Sequence, residues 1–384
     1  MEPRIKGKSF PARAGDISFI HNSYSRTSSQ YQAMSTPQNQ AAWLNKADSP
    51  LEVGNAPLPT AGPGEIVVKN AAIAINPVDW HMQDHGIFVQ QWPTILGCDV
   101  AGEVFEVGSG VNRFQKGDRV IGHSTPFPNG RPSDGAFALY TIVSADKASI
   151  LPNHISFTDG VVVPFAVESA VCALSVKEPG PCMPGVFTPA LGLPLPTLEG
   201  YTSSIKKTLV VYGASASTGA MVTQLATAAG ITVIAISGSH NFDLAKQCGA
   251  AEVFDHKDAS LVDKVVAAVK NLNADFVGIF DAISIPETFE RDLEILKALG
   301  GGHLAGTHPP PTEDLPSNIH TGMIFAYSDI TAPVYRDFVT GALQSGKLKC
   351  LPPPTIVGKG LEYVNEALKM CKAGVSATKL VVEL

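Results

Sequence analysis

The chain has 384 residues, with 28 Lys and Arg against 35 Asp and Glu, so its formal net charge is −7. Charged residues make up only 16% of it, against roughly 25% in an average soluble domain, and 45% are hydrophobic. This composition excludes a disordered chain, which is charge-rich, and a coiled coil, which needs charged heptads. An acidic chain is also a poor general nucleic-acid binder, because phosphate contacts need Lys and Arg. At about 150 residues a domain, the length predicts two domains.

The N-terminal residues 1–33 differ from the rest of the chain. They carry five basic residues and two acidic ones, with weak periodicity, and a second methionine follows at Met34. We expect a disordered leader or an upstream start codon, and an organellar transit peptide is the alternative.

The six cysteines, Cys98, Cys172, Cys182, Cys248, Cys350 and Cys371, are scattered along the chain, and none forms a Cys-x-x-Cys pair. No apolar signal segment follows Met1. Scattered thiols of this kind indicate a reducing compartment, so we expect an intracellular, cytoplasmic protein.

Residues 41–149 predict a β-rich region of short strands with Gly and Pro between them. Strands are expected at residues 65–75, 98–107 and 117–122. The apolar residues 164–176 suit a buried connecting helix. The Pro- and Gly-rich stretch 179–200 lacks helical periodicity and predicts a long loop.

From residue 208 onward, apolar runs alternate with helical patterns, which is typical of a doubly wound parallel sheet. The expected strands are 209–212, 232–236, 251–254, 276–280 and 303–305, and the expected helices are 220–229, 242–248, 260–271 and 286–299. A last strand is expected at residues 379–384. Residues 208–242 contain no charge, but their middle reads Gly213-Ala-Ser-Ala-Ser-Thr-Gly219, so we interpret them as buried core and expect no membrane span.

The turn after Tyr212 is the strongest candidate for a binding site. A strand, a Gly/Ala/Ser loop and a helix follow one another, which brings backbone N–H groups and a helix N-terminus to an anionic pyrophosphate. The strict Gly-x-Gly-x-x-Gly pattern is not met, because Ala214 and Ala216 stand at its first two glycine positions. A tight turn without a ligand is the alternative, but within a βαβ pattern we favour a dinucleotide.

The end of the second parallel strand predicts which dinucleotide binds. NAD-binding proteins place an Asp or Glu there for the ribose 2′-hydroxyl. Here the chain reads Ser237-Gly-Ser-His-Asn241, and the next acidic residue is Asp243. Hydroxyl, amide and imidazole groups donate hydrogen bonds to a 2′-phosphate, which a carboxylate would repel. We therefore expect NADPH, and a plain helix N-cap is the alternative for these residues.

Five motifs together resemble those of the medium-chain dehydrogenase/reductase superfamily. They are Asn76-Pro-Val-Asp-Trp80, Gly97-Cys-Asp-Val-Ala-Gly102, Gly117-Asp-Arg-Val120, the turn 213–219 and Gly374-Val-Ser-Ala-Thr-Lys-Leu-Val-Val382. Two narrower motifs, Leu191-Gly-Leu-Pro-Leu-Pro196 and Ser239-His-Asn-Phe-Asp243, look like those of fungal trans-acting enoyl reductases and related stand-alone fungal oxidoreductases. The resemblance implies an α/β protein. It would have a GroES-like, β-rich catalytic domain (34–175 and 340–384) and a doubly wound parallel Rossmann sheet that binds NADP (176–339).

The resemblance also bears on metal binding. Zinc-dependent members carry Cys where this chain has Asn76, and His where it has Cys98. Asn is not a usual zinc ligand, and one Cys does not supply the three protein ligands of a catalytic zinc site. We therefore expect no metal and interpret Cys98 as a small buried residue.

The resemblance implies contacts with the cofactor from several separate loops. These contacts fall on Pro77, Val78, Asp79, Ser215, Ala216, Ser217, Thr218, Gly238, Ser239, His240, Asn241, His256, Ile283, Ser284, Val375 and Ser376. His81 stands where the enoyl reductases often carry Lys, and His256 where a Tyr commonly follows the third strand. His81 is the candidate catalytic residue, as a hydrogen-bond or proton donor. A histidine without a role is the alternative at both positions.

A further set is expected to line the substrate cleft: Phe165, Ala166, Glu168, Leu304, Ala305, Gly306 and Thr307. Ordinary core and strand is the alternative reading of these residues. Glu168 is unusual within an apolar helix, and it either caps or pairs locally or faces the cleft.

The resemblance implies NADPH-dependent reduction of an activated, α,β-unsaturated C=C bond. Without a zinc Lewis acid, hydrogen-bond donors would stabilise the enolate that forms. The expected substrate is a small-molecule or carrier-protein-bound enoyl group, with a polyketide synthase as candidate partner. The six Lys of residues 340–384 could steer an acidic carrier protein, and a solvated face is the alternative. A quinone or enone oxidoreductase and a non-catalytic nucleotide-binding protein remain the other functional hypotheses.

Overall fold

The computed structural model describes residues 38–183, 186–200 and 205–384. The predicted leader, residues 1–33, lies outside this range. The strands are β1 (Asn39–Leu44), β2 (Glu52–Ala56), β3 (Glu65–Ala74), β4 (Thr94–Ile95), β5 (Asp99–Val107), β6 (Arg119–His123), β7 (Tyr140–Ser144), β8 (Ala148–Ile150), β9 (Pro181–Met183), β10 (Val186–Phe187), β11 (Lys207–Tyr212), β12 (Thr232–Ser237), β13 (Glu252–Asp255), β14 (Asp275–Asp281), β15 (Gly302–Gly306), β16 (Ile319–Met323), β17 (Pro354–Lys359) and β18 (Lys379–Glu383). The helices are α1 (Pro77–His85), α2 (Pro126–Asn129), α3 (Phe157–Gly160), α4 (Pro164–Ser175), α5 (Ser217–Ala228), α6 (Phe242–Gln247), α7 (Leu261–Asn271), α8 (Pro286–Ala298), α9 (Thr340–Ser345) and α10 (Val364–Ala373).

The larger β-sheet of the described residues joins the two ends of this part of the chain. Its strand order is β17-β18-β3-β5-β6-β8, and β7 also pairs with β3. β18 lies antiparallel to β3, with Val381 opposite Ala74. The buried side chains of β3, such as Ile66 and Ile73, lie in a core shared with β1, β5, α1 and α10. This is the GroES-like part of the expected fold, whereas the boundaries at residues 175 and 340 stay a prediction.

The second large sheet is entirely parallel among its described strands. Its order is β13-β12-β11-β14-β15-β16. The first strand, β11, therefore lies in the middle of the sheet, and the order in which strands are added reverses between β11 and β14. This is the strand order of a doubly wound Rossmann sheet. β11 is buried on both faces, from Thr208 to Tyr212, as its unbroken apolar sequence predicts. The predicted α/β class and doubly wound sheet are confirmed.

The uncharged residues 208–242 form β11, α5 and β12, and their side chains are mostly buried between the sheet and its helices. One helical stretch in the described residues, Phe157–Ser175, is long and apolar enough to cross a membrane, but 78% of it is buried inside the protein. It packs against α5 and against the 3₁₀ turn Asp329–Thr331. It is therefore a core helix.

Several elements were not predicted from the sequence. The predicted loop 179–200 contains the short paired strands β9 and β10. α1 was recognised only as a motif, because it buries just Asp79 and Met82 and so has no apolar stripe. β16 was missed because its sequence, Ile-His-Thr-Gly-Met, mixes polar and apolar residues at the sheet edge.

Candidate functional site

A cavity of about 610 Å³ lies where the ends of both sheets meet. Residues of α1, the start of α5, the loops after β14, β15 and β16, and the start of β18 line it. The structure brings ten of the predicted site residues together there: Pro77, Val78, His81, Phe165, Ala216, Ser217, Thr218, Ile283, Thr307 and Val375. The crevice at the carboxyl ends of the strands, beside the reversal between β11 and β14, is where ligands bind in doubly wound sheets.

The turn at the start of α5 packs tightly against the end of β11. Gly213 has a φ of +73°, in the left-handed region that favours glycine. A Cβ on Gly219 would lie 2.2 Å from the Gly213 carbonyl oxygen, so only glycine allows α5 to pack this close to β11. The Ser217 hydroxyl oxygen is buried and has no hydrogen-bond partner in the described residues. A polar ligand at this helix N-terminus would supply one.

A group of predicted residues beyond β12 lies outside the cavity lining but holds its edge together. The Asn241 side-chain amide donates to the hydroxyls of Ser215 and Ser376, 3.2 Å away in each case. The His240 ring nitrogen lies 3.5 Å from the Ser376 hydroxyl. These contacts join the α5 turn to the loop before β18. Gly238 and His256 complete this group, and the His256 N–H donates to the Ser237 carbonyl.

Asp255 is a carboxylate that the sequence analysis did not consider. It ends β13, beside the last residue of β12. Hydrogen bonds from the backbone N–H of Lys257 and the hydroxyl of Ser239 lower its pKa. Parallel pairing of β12 and β13 thus brings an ionised acid next to the segment that was expected to bind a 2′-phosphate.

His81 faces two other imidazoles. Its ring centroid lies 5.7 Å from that of His308, which follows β15, and 6.0 Å from that of His85. His81 and His308 both line the cavity. Burial lowers the pKa of both rings, and the charges of His308 and His85 lower the pKa of His81 further. His308 was not predicted from the sequence, since no motif precedes it.

The floor of the cavity is a buried polar network around Lys379. The Lys379 ammonium donates to the Asn76 side-chain oxygen and lies 3.2 Å from Asp99 Oδ2. The Asn76 amide donates to the same Asp99 oxygen at 2.8 Å. Burial raises the pKa of the adjacent Cys98 thiol well above its usual range. No group of three His, Cys, Asp or Glu side chains in the described residues is arranged to hold a metal ion.

Asp79, where a cofactor contact is expected, is not among the residues that line the cavity, and that contact stays a prediction. Its side chain is fully buried and accepts a hydrogen bond from the Asn76 N–H at 2.7 Å, which caps α1. Burial raises the pKa of Asp79 to about 7, against this hydrogen bond, which lowers it. Ser284 is also buried, and its hydroxyl accepts from the Thr307 N–H at 2.7 Å, so it positions the loop behind the cavity.

Five of the seven predicted substrate residues do not line the cavity. Ala166, Leu304, Ala305 and Gly306 are buried core and strand residues. Glu168 is fully buried and forms an ion pair with Lys147, 2.7 Å away. Its second oxygen accepts from the Thr331 hydroxyl at 2.8 Å. Because this pair satisfies the carboxylate, Glu168 ties α4 to its neighbours, and only Phe165 and Thr307 remain at the cleft.

Comparison with known proteins identifies the family. The alcohol dehydrogenase GroES-like domain model matches residues 62–153, and the zinc-binding dehydrogenase model matches residues 217–332. The chain is 69% identical to dehydrogenase orsE of Emericella nidulans, over 90% of this chain and 99% of the relative. It belongs to the medium-chain dehydrogenase/reductase family. It is also 36% identical to trans-enoyl reductase himH of Aspergillus japonicus, over 90% and 97% of the two chains.

Solved structures confirm this fold. Mycobacterial Rv1454c, solved in complex with NADPH, aligns with a TM-score of 0.64 at 20% identity, over 90% of this chain and all of that one. The CurK enoyl reductase aligns with the same TM-score at 14% identity, over 90% and 99% of the two chains. The predicted family is confirmed, and the chain is a dehydrogenase or reductase by family.

Replacing Lys147 with Met is expected to destabilise the protein by about 3–5 kcal/mol, because Glu168 would stay buried and charged without its partner. Replacing both residues, Lys147→Met with Glu168→Leu, removes the orphaned charge and is expected to recover most of that loss. Urea unfolding of the two single variants and the double variant measures the apparent free energies. Additive effects of the two single substitutions would contradict the coupling.

Proposed function

We propose that this protein is an NADPH-dependent, zinc-independent reductase of α,β-unsaturated C=C bonds, acting as a trans-enoyl reductase in polyketide or other secondary metabolism. The observation that carries the proposal is the single cavity shared by two facing imidazoles, His81 and His308, and the open N-terminus of α5. Such a cavity holds a proton source and a dinucleotide turn within reach of one substrate. The trans-enoyl reductase himH, similar along 90% of this chain, supports the same reaction.

The residues present fit a dinucleotide. The α5 turn offers backbone N–H groups and the unpartnered Ser217 hydroxyl to a pyrophosphate. Ser239, His240 and Asn241 offer donors to a 2′-phosphate. Asp255 works against that preference, because it would accept a hydrogen bond from a ribose hydroxyl and repel a phosphate. We propose NADPH because hydroxyl, imidazole and amide groups, and no acid, follow β12 directly in the chain. The Ser239 and Asn241 donors, which have partners within the protein, would turn to the phosphate when it binds.

The residues present do not fit a catalytic zinc. Asn76 and Cys98 stand where zinc-dependent members have Cys and His. Here Asn76 holds the Lys379 ammonium, which is paired with Asp99. A cation in this position would repel a zinc ion, and the raised pKa of Cys98 disfavours the thiolate that zinc needs.

When bound, the reduced nicotinamide supplies a hydride. The chain's own groups must then stabilise the enolate oxygen and return a proton to the α-carbon. His308 donates a hydrogen bond to the carbonyl oxygen, and the imidazolium form of His81 gives up the proton. Most of the side chains that line the cavity are apolar, and a low local dielectric constant would strengthen these hydrogen bonds.

A carrier-protein-bound substrate and a polyketide synthase partner remain part of the proposal. The lysines of residues 340–384 give it little support as a docking patch. Lys347, Lys349, Lys359, Lys372 and Lys379 each contact a partner within the protein. Lys372, for example, pairs with Asp84 at 2.5 Å.

The purified enzyme is expected to reduce enoyl thioesters such as crotonyl N-acetylcysteamine, and to do so faster with NADPH than with NADH. Quinones are expected to remain unreduced. The loss of nicotinamide absorbance measures all these rates. Turnover of quinones or free enones alone would instead identify a stand-alone quinone or enone oxidoreductase. Nucleotide binding without turnover across the panel would identify a non-catalytic protein. Equal use of NADH would contradict the 2′-phosphate assignment.

The rate constant kcat is expected to rise as the pH falls through the lowered pKa of His81, below its ordinary value near 6.5. Burial is the main cause of this lowering. The charges of His308, His85 and Lys372 add to it, and Asp84 opposes it. His308→Asn removes one of those charges, so the pH profile should move toward higher pH. His81→Asn should lower kcat by about 10²-fold or more and flatten the profile.

His320→Asn is the matched control for these pH profiles. His320 also faces another imidazole, that of His303 at 5.2 Å, but it does not line the cavity. Its replacement should leave the profile unchanged. A wild-type profile that is flat from neutral to acid pH would rule out an imidazolium proton donor.

Dialysis against a chelator is expected to leave kcat/KM unchanged, because the Lys379 ammonium fills the floor of the site. A zinc-dependent dehydrogenase treated in parallel should lose its activity. Metal analysis of the purified protein provides the second measurement. Stoichiometric zinc, with activity restored only by adding zinc, would overturn the zinc-independent mechanism.

A further inference from the structure

Three phenylalanine rings from separate parts of the chain form one wall of the cavity. Phe88 follows α1, Phe127 lies in α2 and Phe325 follows β16. The ring centroid of Phe88 lies 5.9 Å from that of Phe127 and 6.0 Å from that of Phe325. The centroids of Phe127 and Phe325 are 6.5 Å apart. All three residues line the cavity. We call them the aromatic wall.

Phe88 is held in a conformation that costs free energy. Its φ is +62°, in the left-handed region that residues other than glycine rarely adopt. Such strain persists only where the surrounding structure enforces it, and it is concentrated at ligand sites. Gly86, also left-handed, ends α1 and turns the chain so that Ile87 and Phe88 follow at the cavity.

The aromatic wall is not fully buried by other residues of the protein. The side chain of Phe88 remains 37% exposed and that of Ile87 39% exposed, although both are large and apolar. The charged or ionisable side chains among the described lining residues, His81, His308, Cys371 and Lys379, come from other segments of the cavity. An uncharged group would therefore bury apolar surface here without losing hydration of its own.

Aromatic rings distinguish flat groups from puckered ones. Rings 4.5–7 Å apart gain from offset or edge-to-face contacts beyond the area they bury, and a planar conjugated group makes the same contacts. A saturated ring of equal size buries similar area but lacks these contacts. The three rings of the aromatic wall already stand at such spacings from one another.

We propose that the aromatic wall is a specificity subsite for a planar, conjugated, uncharged group on the substrate, an aryl or polyenyl acyl chain. The inference rests on the proposed function, since it names the substrate class of the same cavity. His81 and His308 would take the carbonyl end, and Phe88, Phe127 and Phe325 the conjugated end. Phe88 would contribute most, because it is the most exposed of the three rings.

The test compares thioesters of matched size. Cinnamoyl and 3-cyclohexylacryloyl N-acetylcysteamine differ in whether the ring is flat and conjugated with the C=C bond, and the 2,4-hexadienoyl thioester separates polyenyl from aryl groups. Comparing the ratio of the two rates between wild type and variants cancels their difference in intrinsic reactivity. We expect kcat/KM for the cinnamoyl substrate to exceed that for the cyclohexyl substrate by about five- to tenfold. In Phe88→Leu and Phe325→Leu this ratio should fall by severalfold.

Phe105→Leu is the matched control. Phe105 also packs in an aromatic pair, 5.0 Å from Tyr140, but it does not line the cavity. The ratio should stay at its wild-type value in this variant. A ratio of kcat/KM for the flat over the puckered substrate that is unchanged in both wall variants would overturn the proposal.

A binding measurement separates this proposal from the proposed function. Calorimetry with the unreactive amides of 3-phenylpropanoic and 3-cyclohexylpropanoic acid reports on the aromatic wall even if no thioester is reduced. Tighter binding of the phenyl amide, lost in Phe88→Leu, would support the subsite whatever the reaction. Turnover of thioesters with no preference in either measurement would uphold the reductase and reject the subsite.

Discussion

The buried contact between Lys379 and Asp99 is the interaction on which the cavity floor depends. It joins the first residue of β18 to the first residue of β5, and through Asn76 it reaches the N-cap of α1. The other Asp99 oxygen accepts from the Phe165 N–H at 2.6 Å, in the first turn of α4. Four elements therefore meet on one carboxylate.

Such a pair is stable only because its partners are complete. Removing an ammonium and a carboxylate from water costs several kcal/mol each, and the mutual attraction offsets this only when the remaining polar atoms are also hydrogen-bonded. Here Asp99 receives donors on both oxygens, including a helix N–H that would otherwise lack a partner. The network thus fixes the C-terminal strand β18 beneath the cavity.

The walls differ along the cavity, and the difference follows from the topology. The parallel sheet delivers the α5 turn and the loops after β14 and β15 to one edge. The GroES-like sheet delivers α1 and the start of β18 to the same place. His81, His308 and Lys379 come from α1, from the loop after β15 and from β18. Phe88, Phe127 and Phe325 come from the segment beyond α1, from α2 and from the loop after β16. A substrate with one polar and one conjugated end matches this division.

Much of the parallel sheet could be predicted from local sequence. Strands buried on both faces read as unbroken apolar runs, so β11, β12 and β14 were found to within one or two residues. The α5 turn was recognised because its Gly, Ala and Ser residues are small, which is typical of a tight turn between a strand and a helix. α1 could not be predicted as an amphipathic helix, since its stability comes from its caps, Asp79 and Gly86, rather than from an apolar face. The strand β16 lies at the edge of the sheet. Its sequence mixes polar and apolar residues, so no periodic pattern predicted it.

The family, the two kinds of sheet, the turn at the start of α5 and the residue types available for chemistry follow from the amino-acid sequence alone. They do so because backbone propensities and apolar periodicity are local. Which polar and charged groups contact one another depends on the tertiary structure. Lys379 and Asn76 are 303 residues apart in the chain, Glu168 pairs with Lys147 rather than facing the cleft, and Asp255 reaches Ser239 from the next strand. Electrostatic partners act through space, and no local pattern records them.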